Sequence, residues 1–391
     1  MPLVMYNEKR AGKRELVRLD RVRRTVVLTI TTCVVAGALL TGCSSGGNHR
    51  GASTSVNSGG HAATVDCGGK STLSAEGSSA QLSAIESFNQ VWGQLCPGKK
   101  VSYTASGSAS GREQFIAGHV DFAGADSPLV SEQIGPAAKR CNGHPAWDLP
   151  LLFAPVALVY NLPGVATVVV NGDALAKLFS GMITSWNDPT LAALNRGVPL
   201  PDGRITPIYR TDPSGTTDNL QRYLTVAAPQ SWTQGVGTKF QGGAGQGAAT
   251  SEGVIQAVRA TPGAIGYVDK GLADQAGLPY AQIDNGSGAV PLTNDTARNG
   301  VNAAKFVASG NDLVLDLYSV YGVHEPNAYP FVLATYQIVC SGGYDADTAV
   351  AIKSFLTVAA NDGQSRLSSH GYVPLPDKVK ERLVTAINAM Q

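Results

Sequence analysis

Arg210-Thr211-Asp212-Pro213-Ser214-Gly215-Thr216-Thr217 joins a short apolar run, Ile205-Thr206-Pro207-Ile208-Tyr209, to residues 218–224, which carry Leu220, Tyr223 and Leu224 at helical spacing. The stretch reads as strand, polar turn and helix start. Such a junction suits an anion. The first free N–H groups of a helix point out of its end, and the helix dipole favours negative charge there. Ser214 and Thr216 add hydroxyls, Gly215 permits close backbone approach, and Arg210 offers a planar fork matched to an oxyanion. Asp212 falls on the same strand face as Arg210, where its carboxylate can hold the guanidinium. The octet alone also fits an ordinary capped helix, so its meaning depends on the rest of the chain.

The rest repeats the pattern. Residues 70–73 read as a strand before Ala75-Glu76-Gly77-Ser78-Ser79-Ala80-Gln81, and a helix follows to Leu95 with Leu82, Ile85, Phe88 and Trp92 in register. Residues 101–103 read as a strand before Gly107-Ser108-Ala109-Ser110-Gly111 and a helix over 112–117. A strand over 120–124 ends in Ala125-Asp126-Ser127-Pro128. Each unit alone is a capped helix; together they predict helix N-termini gathered around one site. Residues 241–247 are Gly-rich but lack the G-x-x-x-x-G-K-[ST] spacing of a phosphate loop, and read as a surface loop before a helix over 251–259. Residues 149–161 and 329–340 are long apolar runs suited to buried or crossing strands. Alternating strands and helices predict an α/β protein with largely parallel sheets. If the two apolar runs cross between domains, residues 64–152 and 330–391 form one domain and 153–329 the other, with a ligand cleft between them.

The N-terminal region reads differently. Arg10, Arg14, Arg18, Arg21, Arg23 and Arg24 precede an apolar run over 25–40, then Leu40-Thr41-Gly42-Cys43. This predicts an export signal over 1–42, with Cys43 as a lipidated first residue. The alternative, an uncleaved anchor, needs nearer ~20 apolar residues. Residues 43–63 are rich in Gly, Ser, Asn and Thr and read as a tether. Residues 1–42 hold eight of the 30 Lys/Arg and three of the 29 Asp/Glu, so a chain starting at Cys43 carries 22 basic and 26 acidic residues, about −4. That balance argues against nucleic acid as a partner. Beyond Cys33 and Cys43 stand Cys67, Cys96, Cys141 and Cys340, which in an exported chain suggest two disulfides with three possible pairings. The six histidines are scattered, and no metal or cofactor is expected.

On Gly77-Ser78-Ser79-Ala80, Tyr103 through Gly111, Val120 through Asp126, Ile183 through Pro189, Arg210 through Thr217 and Pro262 through Val268, the chain resembles the phosphate-binding proteins of bacterial ABC phosphate importers. These are type II periplasmic binding proteins, and the Glu76–Gln81 form looks like their actinobacterial branch. The resemblance implies two α/β domains around a phosphate cleft. It implies that Ser79, the Ala80 N–H, Ser108, Asp126, Arg210, Ser214, Gly215 and Thr216 bind phosphate, with Asp212 steadying Arg210. Where the family usually has Thr-Phe, this chain has Ser79-Ala80, keeping the hydroxyl and losing an aromatic. The implied protein is a monomeric receptor, not an enzyme, lipid-anchored at the cell membrane. Its implied partners are two permease and two ATPase subunits. A hydrolase is the rival of another class, but the chain has no G-x-S-x-G, and Ala109 stands where the nucleophile of 107–111 belongs. Another oxyanion such as sulfate is the remaining alternative; Asp126 speaks against it, because a fully ionised anion has no proton to donate.

Overall fold

The computed structural model describes residues 65–391. The predicted signal over 1–42, the lipidation site Cys43 and the tether over 43–63 lie outside the described residues.

The chain begins with three strand–helix steps. β1 (Thr72–Gly77) passes through a 3-10 turn (Ser79–Gln81) into α1 (Leu82–Leu95), β2 (Lys100–Ala105) into α2 (Ser108–Ile116), and β3 (Phe122–Ala125) into α3 (Ser131–Arg140). The long β4 (Ala146–Tyr160) follows, then β5 (Val169–Asn171), α4 (Gly172–Phe179), α5 (Pro189–Leu194), β6 (Thr206–Arg210) and α6 (Gly215–Ala227). Next come β7 (Gln246–Ala248), α7 (Thr250–Ala260), β8 (Ala264–Asp269), α8 (Lys270–Ala276), β9 (Gln282–Asp284), β10 (Ala289–Val290) and α9 (Asn294–Val301). The chain closes with β11 (Lys305–Phe306), β12 (Leu315–Asp316), α10 (Tyr318–Tyr321), β13 (Val332–Cys340), α11 (Ala346–Ala360), α12 (Gln364–Leu367) and α13 (Asp377–Ala389).

Eight strands form one sheet in the order β2-β1-β3-β13-β4-β8-β6-β7. Its two ends are parallel, β1 with β2 and β3, and β6 with β7 and β8. Between them β13 runs antiparallel to β3 and β4, and β4 antiparallel to β8. The first part of β4 pairs with β13 and its second part with β8, so the two long apolar runs tie both ends together. Both strands are buried almost throughout, which is why neither shows polar–apolar alternation.

Helices cover the sheet. α1 turns Ala84, Ile85, Phe88, Val91 and Trp92 inward, and Phe88, Trp92 and Phe122 pack on Phe355 of α11 with ring centroids 5.5–6.4 Å apart. Disulfides join Cys67 to Cys96 and Cys141 to Cys340.

Three local readings are corrected. β1 runs to Gly77, four residues beyond the expected strand. α2 starts at Ser108 rather than Arg112, because Gly107 at φ +100° turns the chain directly into the helix and residues 108–111 are its first turn. The Gly-rich stretch does not end as surface loop. Gln246–Ala248 extends the sheet as edge strand β7, and the Thr211 N–H donates to the Ala248 carbonyl at 3.0 Å.

Candidate functional site

Parallel strand ends of the eight-stranded sheet release the chain into helix starts, and four of these starts meet. Ser78 caps the 3-10 turn before α1, Gly107 precedes α2, Ser214 caps α6, and Ala249 precedes α7. The turn before α6 docks on the turn before α2, where the Ala109 N–H donates to the Pro213 carbonyl at 3.2 Å. A methyl group on Gly215 would lie 2.2 Å from Ser108 Oγ and 2.8 Å from Asp126 Oδ2, so the α6 start abuts both residues with no room for a side chain. α7 meets the α1 end through Ser251, whose N–H donates to Ser79 Oγ at 3.3 Å and whose hydroxyl lies 2.9 Å from it.

All the residues that the resemblance assigns to phosphate binding fall here. Ser79, Ala80, Ser108, Asp126, Arg210, Ser214 and Thr216 are each 5% exposed or less. The Arg210 guanidinium is held by Asp212, Nε to Oδ1 at 2.7 Å and Nη2 to Oδ2, while Nη1 donates to Ser251 Oγ at 3.3 Å. Burial pushes the Asp212 carboxyl up, but the bonds from Arg210 and the Thr250 N–H outweigh it and leave the group below its usual value. Ser214 Oγ accepts the Thr217 N–H at 3.2 Å, and the Ala80 N–H donates to Ser78 Oγ at 3.1 Å.

Asp126 is the unusual group. Its Oδ2 accepts from Ser78 Oγ at 2.5 Å and from Ser108 Oγ at 3.4 Å. Its Oδ1 is buried and has no hydrogen-bond partner. Thr216 Oγ1 is likewise buried and without one. A buried acceptor and a buried hydroxyl left open in the same site call for a ligand that both donates and accepts. Burial raises the Asp126 carboxyl to about 6, against the opposing pull of Ser78, Arg210, Ser108 and Arg112.

Several contacts within this candidate site are not singled out by the sequence. Ser78, beside the expected Ser79, is the residue that reaches Asp126. Ser251 joins Ser79 to Arg210. Asn219 Nδ2 donates to the Asp126 and Gly215 carbonyls at 2.7 and 2.9 Å, and Tyr267 bridges the Arg210 N–H and Thr217 Oγ1. The polar start of α7 is the available signal for Ser251; a Ser-Ser pair cannot say which hydroxyl points inward. A cavity of about 440 Å³ borders Asp126, with Arg112, Asn219, Arg222, Tyr318 and Tyr321 among its walls. Among the described residues no cluster of His, Cys, Asp or Glu is suited to a metal, and no helix is long and apolar enough to cross a membrane.

Helix starts converge on a mixed α/β sheet, and residues 57–362 match the PBP superfamily domain. The chain is 44% identical over 315 residues to phosphate-binding protein PstS3 of Mycobacterium bovis, covering 80% of this chain and 85% of that one. It is 43% identical over 359 residues to phosphate-binding protein PstS 3 of Mycobacterium leprae, covering 91% and 96%. In fold it is similar to a high-affinity periplasmic phosphate-binding protein (PfluDING) solved with phosphate, with TM-score 0.65, 22% identity, and 80% and 93% of the two chains covered. The chain belongs to the PstS phosphate-binding protein family. Its fold is the α/β fold of periplasmic phosphate-binding proteins.

Proposed function

We propose that this protein binds inorganic phosphate outside the cytoplasm and delivers it to the permease of an ABC phosphate importer. One observation carries the choice of ligand: the buried, unpartnered Oδ1 of Asp126 in a site that also holds the Arg210 guanidinium. Hydrogen phosphate brings a proton for Oδ1 and anionic oxygens for Arg210, Thr216 and the helix starts. Sulfate is fully ionised at neutral pH, and in its place would set oxygen against carboxylate in a buried site. Ser79, Ser214 and Thr216 supply hydroxyls and Gly215 backbone, while Ser108, whose hydroxyl is turned to Asp126 Oδ2, offers its backbone N–H at the start of α2. The Ala80 N–H, already given to Ser78, is the weakest member of the set. Charged hydrogen bonds each worth about 1.5–3 kcal/mol readily support micromolar binding, about −8 kcal/mol.

Delivery requires release. We take residues 64–152 with 330–391 as one domain and 153–329 as the other, hinged where β4 and β13 cross, so that opening parts the two sets of helix starts. The family is one of binding proteins rather than enzymes. Cys43 would carry the lipid that holds the receptor at the membrane, beside two permease and two ATPase subunits. Calorimetric titration of the ligand-stripped chain from residue 44 onward tests the reading. One-to-one phosphate binding with sulfate silent is expected; well-folded protein that ignores phosphate would sink it.

A further inference from the structure

Asp126 can present an open oxygen only if its carboxylate is kept from turning. Two serines provide for this in the same manner. Ser78 Oγ accepts the Ala80 N–H, so its single proton goes to Asp126 Oδ2, 2.5 Å away. Ser108 Oγ accepts the N–H of Asp126 itself at 3.0 Å, so its proton also goes to Oδ2, at 3.4 Å. Both donors therefore converge on one oxygen and leave the other open. Ser78 makes the shorter bond and is itself only 2% exposed, with its carbonyl accepting from Tyr103 OH at 2.8 Å. We propose that Ser78 is a specificity-determining positioning residue: it keeps Oδ2 of Asp126 occupied and Oδ1 turned open, so that an anion able to donate a proton to Oδ1 is the one that fits. This inference rests on the phosphate reading of the site.

The consequence follows from the charges around Asp126. Burial favours the neutral acid, and the Ser78 hydrogen bond is the largest opposing influence, ahead of Arg210 on β6, Ser108 and Arg112 on α2. Asp269 at the end of β8, Tyr103 on β2 and Tyr372 also feel the Asp126 charge. None of these replaces the lost donor, so removing the Ser78 hydroxyl shifts Asp126 toward its protonated form. A protonated carboxyl donates instead of accepting, which is what sulfate needs.

The test is calorimetric titration of ligand-stripped wild type, Ser78→Ala, Ser78→Thr and Asp126→Asn with phosphate and with sulfate, from about pH 5 to 8.5. Expected for Ser78→Ala are a gain of about tenfold or more in sulfate affinity near neutral pH and an acid limit of phosphate binding moved upward by about one pH unit. Ser78→Thr should restore wild-type behaviour. Should the alanine variant not fold, Ser78→Thr against Ser78→Val makes the same comparison at constant shape. Uniform weakening of phosphate at every pH with sulfate still excluded would reduce Ser78 to a helix cap and overturn the inference. Asp126→Asn separates the two levels of argument. If it retains full discrimination, the phosphate reading of Asp126 has failed; if it loses discrimination while Ser78→Ala does not, only the role of Ser78 has.

Discussion

Arg210 and Asp212 are joined side chain to side chain by two hydrogen bonds, and Asp212 Oδ1 accepts a third from the Thr250 N–H at 3.0 Å. Asp212 thus ties the end of β6 to the start of α7 and fixes the guanidinium plane between them. A fork held in this way meets an oxyanion without first losing side-chain freedom.

Asp212→Asn keeps the shape but loses the charge and one acceptor, so phosphate affinity should fall about tenfold. Arg210→Lys, which gives up the fork, should cost about a hundredfold. The effects should not add, since Asp212 acts through Arg210. Titration of both single variants and the double variant checks this. Fully additive losses would mean that Asp212 has a separate role.

Gly215 is a sharper probe, because its space is taken by Ser108 and Asp126. Gly215→Ala must push the α6 start away from Asp126, and backbone contact there cannot be made by a longer reach. Phosphate binding should weaken by more than about a hundredfold while thermal unfolding stays cooperative. Retained affinity would show that Gly215 is not in the ligand's wall.

Much of this architecture is legible in the amino-acid sequence itself. The octet at 210–217 announces strand, cap and helix, and Ser214 does cap α6. Apolar length identifies β4 and β13, because a strand buried on both faces needs no polar positions. What local sequence does not carry is register and partner choice. Gly107 hides the true start of α2, since a glycine marks a turn without saying whether the helix begins one residue later or five. β7 is three residues with no apolar pattern, and its pairing is decided by β6. Ser251 belongs to the site only because the sheet order sets β6 between β7 and β8 and turns the start of α7 toward Ser79. The cysteines allow three pairings, and three-dimensional proximity alone selects one.

The two disulfides differ in what they close. Cys141–Cys340 spans 199 residues and Cys67–Cys96 spans 29. Chain entropy puts the ceilings near ~5 and ~4 kcal/mol respectively. Replacing Cys141 and Cys340 by alanine together should destabilise the fold by about 2–5 kcal/mol, and by more than replacing Cys67 and Cys96. Denaturant unfolding of the two double variants reads the order directly. The reverse order would mean that local packing outweighs loop closure.

Asp148 makes stability depend on pH in a direction opposite to the usual acid denaturation. Its carboxylate accepts the Leu129 N–H at 3.1 and 3.3 Å, and its own N–H donates to Asp312 Oδ1 at 2.8 Å. Burial, with the Asp312 carboxylate adding to it, raises the group from 3.8 to about 8. The folded chain therefore holds a proton that the unfolded chain has already released. The associated stability is fully present below about pH 4 and is lost progressively as pH rises to about 8. Asp269, raised to about 7, and Asp126, raised to about 6, both chiefly by burial, act with the same sign. Ligand-free protein should thus unfold more easily at about pH 8.5 than at about pH 5.5. Asp148→Asn keeps an acceptor for Leu129 and needs no proton, so it should gain about 2 kcal/mol over wild type at alkaline pH and little at acid pH. Urea unfolding of both proteins at the two pH values decides the matter: equal slopes with pH would show that Asp148 is ionised in the folded chain and stabilised by its neighbours.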